Sequence, residues 1–292
     1  MYSRYQLARK YIHYYINAAN GRGHGIHSPF VYDFVRNVLM GEGDAAAYKP
    51  IEALRKQLGR DRTLVEIEDF GAGGGQRMIY RRSISDLAKH VAKPPKLGRL
   101  LYRIARHYQP ARILELGSSL GLSTAYLAAG AGAGWEAASS VATGMGVNEA
   151  CPVVQPPKVV TIEGAGAVAE VARRNFRQLG PELITAPVEL VGGNFDQVLP
   201  EVLSRISPVD LAFIDGNHRM EPTLRYFDQL SRHASDSSVL IFDDIHWSRE
   251  MEEAWGHIRE DGRSCLTIDL FFFGLVFRRK EFKVKQHFTI RF

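Results

Sequence analysis

"ARILELGSSLGLSTAYLAAG", residues 111 to 130, reads as a strand, a tight turn and a helix in direct succession. Residues 112–116 are mostly apolar, with Glu115 as the acidic exception, which suits a strand buried on both faces. Gly117 stands where the chain must turn, Gly121 is small enough for close packing, and a run rich in Ala and Leu follows. A strand that passes through such a turn into a helix aims free backbone N–H groups at a ligand. A nucleoside also needs an acid at the end of the next strand to take its ribose hydroxyls. "KVVTIEG", residues 158 to 164, supplies Glu163. Its distance from Gly117 exceeds the customary spacing of about 20 residues, and the small, Gly- and Pro-containing stretch 131–158 accounts for the excess. Connections of that length are functional lids or insertions, and a mobile surface loop is expected here.

A second glycine run, "IEDFGAGGGQ" at residues 67 to 76, competes for the same role. It has a strand-like lead, "TLVEIE", but no second strand ending in an acid before Pro94 and Pro95. It therefore reads as an exposed loop, with Arg77, Arg81 and Arg82 as minor candidates for substrate contact.

Outward from the first turn, short apolar runs alternate with helical stretches: "ARILELG", "VVTIEG", "VELVGGNF", "VDLAFIDG", "SVLIFDD", "LFFFGLVF" and "HFTIRF". Seven strands with helices between them predict βαβ units and a mostly parallel sheet. The last two lack room for a helix, which predicts a closing antiparallel hairpin across "RRKEFKVKQ". Upstream, residues 1 to 20 read as a helix bearing Tyr5, Tyr11, Tyr14 and Tyr15. Ser28 and Pro29 predict a helix start before Phe30–Met40, and His24 and His27 read as loop residues. The chain thus divides into a helical N-terminal extension, 1–97, acting as a substrate lid or interaction region, and a main domain, 98–292.

Composition sets the class. The 292 residues are 45% hydrophobic and 24% charged, with a net charge of +5, ordinary for a globular protein. The basic residues, densest at Arg278, Arg279, Lys280, Lys283 and Lys285, form no clear nucleic-acid stripe. Cys151 and Cys265 lack zinc or disulfide spacing, no secretory signal is legible at the N-terminus, and no run approaches the roughly 18 apolar residues of a membrane span. The expected setting is cytoplasmic.

Taken in order, "ILELGSSLGLSTAYLA", "VVTIEG", "GNFDQVLPEVL", "VDLAFIDGNHRMEPTLRYFDQL" and "SVLIFDDIHWS" resemble the class I S-adenosylmethionine-dependent methyltransferases, and within them the small-molecule O-methyltransferase branch. The likeness covers residues 98 to 292, while "HGIHSPFVYDF" is similar to uncharacterised methyltransferase-like proteins. It implies an α/β, Rossmann-like seven-stranded sheet, mostly parallel with the last strand antiparallel. It further implies that Glu115, Gly117 and Ser118 surround the methionine part of S-adenosylmethionine, with Gly121 to Ser123 closing the pocket. Glu163, next to Gly164, would bind the ribose, Asn194 and Phe195 would flank the adenine, and Asp215 would stand where cofactor and acceptor meet. Ser119 departs from the commoner pattern by replacing its middle glycine. Independently, a sulfonium cation has no pyrophosphate and favours nearby carboxylates over a full phosphate cradle. A nicotinamide cofactor would want that cradle intact.

Methyl transfer requires an aligned acceptor oxygen and removal of its proton. Candidates cluster after the fourth and fifth strands: Asp215, Asn217 and His218, then Asp243, Asp244 and His246. Two mechanisms stay open. In one, Asp215, Asp243 and Asp244 hold Mg²⁺, which lowers the acceptor hydroxyl's pKa. In the other, His218 or His246 is a metal-free general base. Asp243 or Asp244 could instead cap the helix near Ser248, and Trp247, Tyr226 and the "FFFG" run read as core rather than acceptor pocket. The leading expectation is an O-methyltransferase for a hydroxylated small molecule, with a homodimer as a compatible assembly. A non-catalytic scaffold on the same fold and, less favoured, a nicotinamide-dependent oxidoreductase are the alternatives.

Overall fold

A computed structural model describes residues 1–19, 21, 23, 26–69, 78–144 and 155–292. In chain order the elements are α1 (Arg4–Asn17), α2 (Pro29–Asp33) running into a π-helical turn (Phe34–Leu39), α3 (Ala45–Leu58), β1 (Leu64–Asp69), β2 (Met78–Ser83), α4 (Ile84–His90) and α5 (Pro95–Tyr108). Then come β3 (Arg112–Leu116), α6 (Leu122–Gly144), β4 (Lys158–Glu163), α7 (Gly166–Leu179), β5 (Val188–Gly192), α8 (Phe195–Ile206), β6 (Val209–Ile214) and α9 (Met220–His233). β7 (Ala234–Asp243), α10 (Arg249–Glu260), β8 (Leu266–Asp269), β9 (Phe273–Phe277) and β10 (Gln286–Thr289) complete the chain. The class is α/β, with a mostly parallel eight-stranded main sheet and a separate ribbon of β1 and β2. Two compact units divide the described residues: one holds Met1–Gly41 and Pro200–Phe292, the other 42–69 and 78–199.

In the second unit β4 pairs in parallel with both β3 and β5, with Ile113 opposite Val159 and Thr161 opposite Leu190. All three strands therefore end on the same edge, where an open α/β sheet binds ligands. β1 and β2 pair antiparallel from Leu64↔Ser83 to Asp69↔Met78. The competing glycine run thus joins two strands of a ribbon, whereas a nucleotide loop joins a strand to a helix. The run's residues 70–76, and Arg77 after them, lie outside the described residues.

The expected loop over 131–158 is corrected. α6 continues to Gly144, and the remainder, 145–154, lies outside the described residues. Its glycines serve close helix packing: a Cβ on Gly130 would stand 2.3 Å from the Tyr102 carbonyl oxygen, and one on Gly134 2.5 Å from that of Arg106. Both pairs are four residues apart, so one face of α6 lies against the backbone of α5.

In the first unit β6 and β7 are parallel, β7 and β8 each pair antiparallel with β9, and β10 pairs in parallel with β8. The sheet has its one antiparallel strand, but that strand is β9, and the last strand is parallel. The hairpin turns across Leu270–Phe272 rather than across residues 278–286. "LFFFGLVF" is therefore a turn plus a strand, preceded by the unforeseen β8, which raises the count from seven to eight. α1 begins with a capping box in which Ser3 and Gln6 satisfy each other's backbone N–H. Its residues Leu7, Tyr11 and Tyr14, with Ala18 just after it, form one apolar cluster with Phe271 and Phe272.

Candidate active site

In the β3–β4–β5 unit, the turn after β3 has the left-handed backbone that its glycines anticipate, with φ of 93° at Gly117 and 79° at Gly121. A Cβ on Gly121 would stand 2.6 Å from the Phe176 ring, so close approach of α7 also requires glycine there. Ser119, the departure from the commoner pattern, adopts φ 46°, a conformation that costs an ordinary side chain about 1 kcal/mol or more. The backbone thus keeps the shape that a glycine would allow. The Ser119 N–H donates to Glu163 Oε2 at 2.8 Å, and the Ala165 N–H to Oε1 at 3.0 Å. Glu163 is thereby fixed against the turn.

The remaining predicted cofactor residues sort by burial. Ser118 is 1% exposed, and its hydroxyl oxygen has no hydrogen-bond partner among the described residues. Glu115 behaves differently. It is fully buried and accepts from Thr161 Oγ1 at 2.7 Å and from Thr124 Oγ1, so it braces β3, β4 and α6 from inside. The Asn194 side chain accepts from the Asp196 N–H at 2.8 Å and starts α8, leaving Phe195 and Gly164 partly exposed on the same unit. Ser123 is buried.

The other unit holds the predicted acids and bases. Asp215 follows β6 and Asp243 ends β7. Asp215 Oδ1 lies 3.5 Å from His218 Nε2, and one donor atom each of Asp215, His218 and Asp243 lies within 4.8 Å of the others. Asp243 is 1% exposed. The turn that carries His218 passes through Asn217 at φ 53° and is anchored by its Nδ2, which donates to the buried Tyr226 hydroxyl at 2.8 Å. Two carboxylates and an imidazole in this arrangement fit a divalent cation or a carboxylate-oriented base. Asp244 is not among these three. It turns the chain at φ 54°, with its N–H on the Phe272 carbonyl at 2.8 Å. Capping of α10 falls to Ser248, which accepts from Met251 N–H at 3.2 Å.

His246, the other candidate base, sits between two acids. Its Nε2 lies 2.8 Å from Asp269 and its Nδ1 3.1 Å from Glu252, and its ring stacks on Phe271. Burial disfavours the charged ring, but Asp269 and then Glu252 outweigh it and raise the pKa above the ordinary 6.5. Glu252 also accepts from Tyr2 at 2.7 Å and from Lys10 at 2.9 Å. The network lines a cavity of about 660 Å³ together with Arg9, His13 and Tyr14. Of the expected core aromatics, Tyr226, Phe271 and Phe273 are indeed buried.

Sequence reading missed Thr124, Thr161, Glu252 and Asp269. Thr161 was legible, as a polar residue inside an otherwise apolar strand. Glu252 and Asp269 carried no such signal, because α10 and β8 meet His246 only in three dimensions.

Residues 114–245 match the family described as "Methyltransferase domain". A catechol O-methyltransferase of Mycobacterium tuberculosis is 30% identical over 163 residues, 55% of this chain and 61% of that protein. The chain therefore spans less than two thirds of that relative's length. Among solved structures, the S-adenosylhomocysteine-bound Podospora anserina methyltransferase PaMTH1 covers 96% of this chain and 97% of its own, with a TM-score of 0.55 at 14% identity. The cofactor-bound protein Rv0187 from MTB covers 86% and 97%, with a TM-score of 0.53 at 22% identity. At these identities the two structures establish the fold, which is Rossmann-like. In sequence, residues 114–245 are similar to a methyltransferase domain and part of the chain is similar to a catechol O-methyltransferase.

Proposed function

We propose that the protein methylates a hydroxyl oxygen of a small molecule with S-adenosylmethionine as donor. The observation that carries this reading is the Glu163 carboxylate locked by backbone N–H groups to the glycine turn after β3. When bound, S-adenosylmethionine supplies an electrophilic methyl group on a sulfonium leaving group. Glu163 holds the ribose, Ser118 and the Gly117–Ser123 backbone take the amino-acid end, and Asn194 and Phe195 flank the adenine. Glu115 keeps the turn in place from within.

Asp215, His218 and Asp243 handle the acceptor. Removal of its hydroxyl proton is served by either of two arrangements of these groups. His218, its Nε2 beside Asp215, takes the proton directly on its other ring nitrogen. Alternatively the carboxylates of Asp215 and Asp243 would hold a cation such as Mg²⁺, which would make the hydroxyl more acidic. A cytoplasmic setting and a homodimeric assembly belong to the same reading, and sizing chromatography tests the latter.

Calorimetry with S-adenosylhomocysteine and with NAD provides the test. The expected result is S-adenosylhomocysteine binding without NAD binding. Glu163→Ala should weaken the former by roughly 10- to 100-fold, since charge-assisted hydrogen bonds contribute about 1.5–3 kcal/mol each. Tight NAD binding with no response to S-adenosylhomocysteine would refute the proposal. Label transfer from methyl-labelled cofactor into a metabolite extract should identify the acceptor, and Asp215→Ala should abolish that transfer.

A further inference from the structure

We infer that the outward face of α1 docks on an anionic membrane surface, with the helix lying along the lipid headgroups. The helix has two apolar sides. One, with Leu7, Tyr11 and Tyr14, joins the cluster around Phe271 and Phe272. The other carries Tyr5, Ile12, Tyr15 and Ile16, which are 77, 59, 50 and 66% exposed. Exposed apolar side chains scattered singly are ordinary, but these four follow one another at helical steps of seven, three and four and therefore share one side. A grouped apolar surface of this kind marks a place of interaction.

Charge decides what covers it. The chain has 32 Asp and Glu residues, yet none precedes Asp33. With 3.6 residues per turn, Arg4 falls just beyond Tyr15 on one border of the apolar side, and Arg9 just beyond Ile16 on the other. Neither arginine has an ion-pair partner among the described residues, whereas Lys10, on a different side, is held by Glu252. Arg291 adds a third cation at the far end: its guanidinium stands 4.9 Å from the Tyr15 ring centre and donates to the Ile16 carbonyl at 3.2 Å. An apolar strip bordered by cations and free of acids complements acyl chains beneath anionic headgroups. Tyr5 and Tyr15 suit the same depth, since a tyrosine ring can enter the apolar layer while its hydroxyl stays among the headgroups.

A second copy of the chain fits this side less well. Two such helices face to face would bring their arginines together, and α1 has no acid to answer them. Spanning is excluded by length, because 14 residues rise only about 21 Å against a hydrocarbon core of about 30 Å. No helix among the described residues is long and apolar enough to cross a membrane. The helix is also formed in advance: its capping box and the Tyr14 and Lys10 hydrogen bonds hold it on the protein. Docking therefore avoids the ordering cost of a free peptide.

Flotation of the full chain with vesicles tests the inference, using phosphatidylcholine alone and phosphatidylcholine with phosphatidylglycerol in equal parts. Binding to the mixed vesicles should be at least ~10-fold tighter and should fall steeply in about 1 M salt, where the Debye length is ~3 Å. Arg4→Gln with Arg9→Gln should weaken it by roughly 10- to 30-fold, about fivefold for each cation lost. Ile12→Gln with Ile16→Gln should weaken it by at least ~10-fold. Ile79→Gln, at an equally exposed isoleucine of β2, should bind as the wild type does. Circular dichroism and melting curves show that each variant is folded. Equal binding to both kinds of vesicle, or binding indifferent to the Ile12 and Ile16 substitutions, would overturn the inference. So would a dimer in sedimentation that those substitutions dissolve in protein that leaves vesicles alone, since a second copy would then cover the face.

Discussion

The His246 ring is held by two acids. It sits between Asp269, which is 5% exposed, and Glu252. Burial pushes both carboxyls up, but His246 pulls Asp269 below its ordinary 3.8, and Tyr2, Lys10 and His246 pull Glu252 below 4.5. The raised histidine contributes stability that is complete below pH 6.5 and is lost as pH rises through its folded value. The depressed acids contribute stability that is present above 4.5 and is lost as pH falls through their folded values. His246→Ala leaves Asp269 buried without its cation, a change that costs about 3 kcal/mol. Denaturant titrations across pH should show the gap between wild type and variant widest between pH 4.5 and 6.5. A gap that does not vary with pH would exclude the ion-pair account.

At the scale of elements, the turn after β3 and the hairpin before β9 make opposite lessons. Gly121 has both a left-handed φ and no room beside Phe176, so Gly121→Ala should destabilise by about 2 kcal/mol or more. Ser119 shares the left-handed backbone without the crowding argument, and Ser119→Gly should leave thermal stability and S-adenosylhomocysteine binding nearly unchanged. Calorimetric melting of both variants checks the contrast. Those glycine requirements were legible because a strand, a turn and a helix in that order demand them. At the hairpin, Phe271 turns the chain at φ 70° with no glycine, proline or asparagine to announce it. An apolar run of eight residues therefore read as one strand. α6 erred in the other direction, since Gly130 and Gly134 look like loop residues until Tyr102 and Arg106 stand against them.

On the scale of the whole molecule, the first 41 residues share a compact unit with the last 93. α1 is joined to that unit by Lys10 and Tyr2 on Glu252, by Tyr14 on the Ile290 carbonyl and by a bridge from Ala19 to Ile290. Deleting residues 1–19 should expose Phe271 and Phe272, strip Glu252 of two partners and lower the melting temperature by several degrees. Scanning calorimetry would show it, and an unchanged melt would mean that α1 contributes no net stability. By itself the sequence determined the order of most strands and helices, the strand–turn–helix run with its glycines and the acids at the strand ends, because periodicity, glycine and charge act locally along the chain. Only the tertiary structure decided that His218 belongs with Asp215 and Asp243, that His246 is clamped by Asp269 and Glu252, and that α1 packs beside β10. Those pairings join residues up to hundreds of positions apart, and burial, which no local pattern encodes, sets their charge.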